Sequence, residues 1–138
     1  SLPPAATPVD IRFGNGLELA GFQTDPIAEA TDALFHPPSG WLHVTLYWRA
    51  NRPVSDDAAP YLNLVGSEGI WGASLERTND ALDLLPPAQW PALKDGTAII
   101  RHDLDVNLNP ATPPGRYQLV VGLYGYEEQY PLAEVEIK

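Results

Sequence analysis

The stretch Trp41-Leu42-His43-Val44-Thr45-Leu46-Tyr47-Trp48-Arg49-Ala50 alternates strictly, with Leu42, Val44, Leu46 and Trp48 on one phase and His43, Thr45, Tyr47 and Arg49 on the other. A period of two is that of a β-strand, whose successive side chains point to opposite faces. The first set is expected in a core and the second in water. The pattern recurs outward in both directions. Residues 61–65 put Leu62 and Leu64 inward, and a Gly66-Ser67-Glu68-Gly69 turn joins them in a hairpin to residues 70–77, where Trp71, Ala73 and Leu75 share the inward face. Residues 97–108 place Leu104, Val106 and Leu108 inward. Residues 115–126 do the same with Tyr117, Leu119, Val121 and Leu123, and residues 131–138 with Ala133, Val135 and Ile137. Residues 10–24 read as a first strand interrupted at Gly14-Asn15-Gly16, where the glycines predict a tight hairpin or a kink.

Between these strands run segments that no strand or long helix can occupy. The sequence carries 15 prolines and 11 glycines, and Pro86, Pro87 and Pro91 make residues 78–96 a crossover loop with room for one helical turn at most. Residues 25–40 form another loop. A length of 138 residues fits one domain. Residues 1–9, rich in proline and alanine, are expected to be an extended lead-in, and residues 10–138 the domain itself. No interval repeats. No apolar run approaches the length that spans a bilayer, so a soluble chain is expected, with Ser1-Leu2 as a trimmed end.

Charge and composition exclude several classes of function. Eight basic against eighteen acidic residues leave a net charge of -10, which repels phosphate backbones and anionic headgroups. Nucleic acid and direct membrane-surface binding are not expected. Without cysteine there is no disulfide, thiolate metal site or thiol nucleophile. Asp103-Leu104-Asp105-Val106-Asn107 begins like a calcium loop, but Leu108 stands at the glycine position and Pro114 at the final glutamate position. In a strand Asp103, Asp105 and Asn107 simply share the solvent face, where Arg101 and Arg49 could pair with them. His36, His43 and His102 lie too far apart for a zinc pattern. No nucleophile elbow, phosphate loop or dinucleotide fingerprint occurs, so neither catalysis nor a cofactor is expected.

The run Pro113-Pro114-Gly115-Arg116-Tyr117-Gln118-Leu119 sets a tyrosine just after a proline and glycine corner, as the tyrosine corner of immunoglobulin-like sandwiches does. Leu119 stands where antibody domains carry their second cysteine. Together with Leu46-Tyr47-Trp48-Arg49-Ala50, Gln89-Trp90-Pro91, Asp103 and Val121-Gly122-Leu123-Tyr124, the chain resembles β-sandwich domains appended to bacterial multi-pass glycosyltransferase or protein-mannosyltransferase-like membrane proteins. The resemblance spans residues 11–137 and departs from those domains at the short Tyr126-Glu127-Glu128-Gln129-Tyr130 turn. It implies an all-β, immunoglobulin-like seven-stranded antiparallel β-sandwich. It also implies an extracytoplasmic, non-catalytic accessory or interaction domain, tethered by transmembrane segments to the membrane-embedded part of the same polypeptide. Two other functions fit the residues: a carbohydrate-binding module, and a structural spacer or protein-docking domain.

Trp48, Trp71, Leu104, Leu119 and Val121 are expected to fill the space between two sheets. Of the remaining aromatic residues, Tyr117 serves the corner and Trp90 pins a loop. Trp41, Tyr47, Tyr61, Tyr124, Tyr126 and Tyr130 are then left for a surface. In immunoglobulin order the strands that begin at Tyr61, Gly115 and Pro131 are neighbours. Their outward phases then gather Tyr61, Asn63, Ser74, Glu76, Gln118, Tyr124 and Glu134 as a candidate ligand-binding face, rings and polar groups suited to sugar hydroxyls. Loss of either Tyr61 or Tyr124 is expected to weaken glycan binding with little change in melting temperature.

Overall fold

A buried asparagine begins the fold. Asn15 Oδ1 accepts the Leu17 N–H at 3.0 Å, while Phe13 N–H donates to Leu17 O at 2.9 Å, and Gly16 turns with φ at 99°. That backbone region is open to glycine without the Cβ penalty other residues incur. The interruption is therefore a hairpin, and the expected first strand is two: β1 (Thr7–Arg12) and β2 (Glu18–Thr24), paired from Thr7↔Phe22 to Arg12↔Glu18. Thr7, Pro8 and Val9 thus belong to a strand instead of a free lead-in.

The computed structural model describes residues 2–28, 40–50, 58–74 and 99–138. Among them the chain is all β and antiparallel, without a helix. Six more strands follow: β3 (Trp41–Arg49), β4 (Pro60–Gly66), β5 (Gly69–Ser74), β6 (Ile100–Leu108), β7 (Gly115–Leu123) and β8 (Gln129–Ile137). Eight strands replace the expected seven, and their hydrogen-bonded order is β1-β2-β3-β6-β5-β4-β7-β8. The crossover loop with its Trp90, and also His36, Leu75 and Glu76, lie outside the described residues.

The chain divides into two compact units, Ser1–Gln23 with Thr45–Ala59 and Arg77–Asp103, and Thr24–Val44 with Pro60–Glu76 and Leu104–Lys138. In the first unit Leu17, Leu19, Leu46 and Trp48 are completely buried, and the Phe13 ring packs against Trp48 at a centroid distance of 6.1 Å. The indole N–H of Trp48 donates to His102 Nδ1 at 3.4 Å. An indole can only donate, so His102 must accept on Nδ1 and carry its ring proton on Nε2. The other phase of β3 is drier than its composition predicts. Thr45 and Tyr47 are buried, Thr45 donating to Asp103 Oδ1 at 2.8 Å and Tyr47 to Gln23 Oε1 at 3.3 Å. Tyr47 is therefore no surface ring. Arg101 pairs with Asp103 at 3.0 Å, as expected, but Arg49 instead meets the buried Glu18 at 3.3 Å.

In the second unit Leu42, Val44, Leu62, Leu64, Leu104, Val106, Leu108, Leu119, Val121 and Leu123 are buried on the phases their alternation assigns. The exception is β5. A register shift takes the pairing from Leu64↔Gly72 to Val65↔Ile70 and leaves Trp71 as an extra residue. A bulge of this kind reverses the phase read from simple alternation. Gly72 and Ser74 therefore face the core, Ala73 faces outward opposite Asn63, and Trp71 is half-buried instead of filling the core. Size decides the matter: a Cβ on Gly72 would lie 3.2 Å from both Leu64 Cβ and Val106 Cγ1. Tyr117 is buried, and its hydroxyl donates to Pro113 O four residues upstream, the bond of a tyrosine corner.

Two stability measurements check these assignments. Trp48→Ala removes the largest fully buried side chain among the described residues and should cost about 3 to 5 kcal/mol in chemical denaturation, and a near-neutral midpoint would mean Trp48 is not core. Tyr117→Phe keeps the ring and loses one hydrogen bond, so about 0.5 to 1.5 kcal/mol should be lost.

Candidate functional site

On the outward face of β4, β7 and β8, register places Tyr61 beside Gly122 and Gly122 beside Gln129. Directly opposed residues point to the same side of a sheet. Because Gly122 has no side chain, the Tyr61 ring lies across it: a Cβ there would sit 2.6 Å from Tyr61 Cζ. Gln129 Nε2 donates to the Tyr61 hydroxyl at 2.7 Å. The Tyr124 ring follows, 4.9 Å from Tyr61 between centroids and tilted by 43°. This separation lies within the range preferred by interacting aromatic pairs. Tyr61 is half-buried, whereas Tyr124 is one of two large apolar side chains exposed among the described residues, at 37%.

The other expected residues divide. Asn63, half-buried, lies two residues along β4 from Tyr61 on the same phase, opposite Val120. Gln118 and Glu134 are exposed and directly opposed, and Glu134 also meets Arg116 at 3.6 Å. Ser74 does not belong to the face. The bulge in β5 turns it inward, where its Oγ accepts the Leu62 N–H at 2.9 Å. Glu76 lies outside the described residues. Gln129 and Gly122 belong to the site and were not expected in it. Gln129 falls in the Tyr126–Tyr130 turn of the sequence pattern, and its place depends on where β8 begins. Gly122 carried a legible signal, since a glycine inside a strand marks close approach by a neighbour.

Trp41 and Tyr130 serve elsewhere, and Tyr126 is half-buried with its N–H donating to Leu123 O at 3.0 Å. Trp41 is half-buried and exchanges backbone hydrogen bonds with Ala28 at 2.9 Å. Tyr130 donates to Glu128 Oε2 at 3.3 Å. Desolvation, and then the Glu128 carboxylate, raise its phenol above the ordinary tyrosine range. Asp105 accepts from His43 Nδ1 at 2.7 Å, and Asn107 Oδ1 is buried without a partner among the described residues. No group of three histidine or carboxylate side chains among the described residues is placed to hold a metal ion. No described helix is long and apolar enough to cross a membrane. No family model, curated protein or solved structure matches the chain.

Gly122→Ala tests the geometry of the site directly. Its methyl would occupy the space of the Tyr61 ring, forcing that ring out of contact with Tyr124 and Gln129. A loss of about 1 to 3 kcal/mol is expected, with a changed near-ultraviolet dichroism of the tyrosine pair. An unchanged spectrum and stability would mean the ring does not rest on Gly122.

Proposed function

We propose that the chain is a non-catalytic, extracytoplasmic interaction domain of the immunoglobulin-like β-sandwich kind, and that the Tyr61 and Tyr124 face binds neutral glycans. The observation that carries this reading is the exposed Tyr124 ring held 4.9 Å from a Tyr61 ring that is itself fixed by Gly122 and Gln129. Rings held in place before a ligand arrives lose little freedom when a sugar stacks on them. Asn63, Gln118 and Gln129 add amides of the kind that bind hydroxyl groups. Exposed Glu127, Glu128 and Glu134, on a chain of net charge -10, disfavour sulfated or uronic sugars. The tyrosine corner at Tyr117 supports the immunoglobulin-like assignment.

A second reading rests on the resemblance to domains of membrane glycosyltransferase-like proteins. In it this face serves the membrane-embedded part of the same polypeptide, and the genomic sequence preceding Ser1 encodes transmembrane helices. Their absence there would remove that reading and leave the glycan reading intact. A spacer or protein-docking domain would give no binder on a glycan array.

On such an array neutral oligosaccharides should bind and anionic ones should not. Tyr124→Ala should weaken binding about tenfold, which is about 1.4 kcal/mol, with the melting temperature nearly unchanged. Tyr61→Ala should weaken binding too, but it also uncovers Gly122 and so should lower the melting temperature. Unaltered affinity in Tyr124→Ala would overturn the assignment of this face.

A further inference from the structure

A cleft of 670 Å³ lies between β8 and residues 24–27, and neither ring of the tyrosine pair lines it. One wall is β8, whose strand partner among the described residues is β7 and which ends the hydrogen-bonded order. The opposite wall runs alongside β3, with Asp25 N–H donating to His43 O at 3.0 Å and Ala28 bridging to Trp41. Leu42 and Leu108, both buried, form the floor, and Ile27, Val135 and Ile137, each half-buried, stand at its sides. An end strand offers a row of backbone donors and acceptors to any further strand.

We propose that this cleft receives an extended peptide that adds to β8 and alternates basic with apolar residues. The pleat of β8 dictates the pattern. Glu134 and Glu136 are exposed on its outward phase, and Val135 and Ile137 turn toward the cleft. A strand paired with β8 would set its own residues beside these on the same two faces. Lysine or arginine on the outward face meets Glu134 and Glu136, with Asp25 on the far wall, while apolar side chains on the other phase cover Ile27, Leu42, Leu108, Val135 and Ile137. Among the described residues Lys138 is the single cation of the lining. A second copy of β8 is a poor occupant, because it would bring glutamates against glutamates.

The test uses the intact chain and a synthetic peptide of about eight residues alternating lysine and valine, a usual strand length. Two controls accompany it, one of the same composition with the valines clustered, the other alternating glutamate and valine. Calorimetry should show the alternating basic peptide binding at least tenfold more tightly than either control. Hydrogen exchange should show new protection of the amides in residues 134–137. Ile137→Asp should abolish binding. Glu136→Gln, an exposed substitution that leaves the core alone, should weaken it several-fold and flatten its dependence on salt. Equal binding of the clustered peptide, absence of protection in β8, or sedimentation showing that the chain covers the cleft by self-association would each overturn the proposal.

Discussion

Burying a tryptophan completely is costly unless its indole N–H finds an acceptor, and in this chain His102 supplies one for Trp48. That requirement ties the most apolar strand, β3, to β6 by a polar bond inside the core of the first unit. An unmet buried donor would cost about 1 to 3 kcal/mol. His102 is thus explained as a core residue on the same phase as Leu104 and Val106, which leaves His43 as the histidine on the wetter face. There His43 donates to Asp105 in the second unit, while Thr45 donates to Asp103 in the first. The aspartates that begin like a calcium loop are therefore partners of β3.

Charge is handled in the same way where it enters the interior. Glu18 is buried, its side chain 8% exposed, yet Arg49 lies 3.3 Å from it and Arg12 at 4.0 Å. A carboxylate so placed is tolerated because its partner is at hand, and the partner's own partial exposure keeps the pair's net contribution small. Other acidic residues, among them Asp25, Glu127, Glu134 and Glu136, lie exposed at the surface. They frame both the tyrosine face and the cleft beside β8, and they restrict the two proposed ligands to neutral sugars and basic peptides respectively.

Small residues decide where the large rings go. Gly122 admits the Tyr61 ring across β7, and Gly66 makes room for Tyr117, whose Cε1 would otherwise stand 2.8 Å from a Cβ. Gly72 lets β5 approach Leu64 and Val106. The exposed ring of Tyr124 owes its fixed neighbour to one such gap. The candidate binding face is therefore a consequence of close packing between strands, and the same gap that positions Tyr61 makes it a structural residue as well.

The amino-acid pattern by itself determined the strands with unbroken alternation: the inward sets of β3, β4, β6 and β7, the turn at Gly66-Ser67-Glu68-Gly69, and the tyrosine corner at Tyr117. Period two is a local property, and a core position on a regular strand follows from it directly. It also placed Tyr61, Asn63, Gln118, Tyr124 and Glu134 on one outward face, because those residues keep phase with buried neighbours. Tertiary structure alone decided the rest. The extra residue at Trp71 shifted the phase of β5, sending Ser74 inward and leaving the tryptophan half-buried, and no local periodicity encodes a bulge chosen by packing across strands. The burial of Tyr47 and Thr45 depends on Gln23 and Asp103. Gln129 joins Tyr61 across 68 residues of sequence, a contact set by the pairing of β4 with β7 and of β7 with β8 and by nothing in the residues next to either.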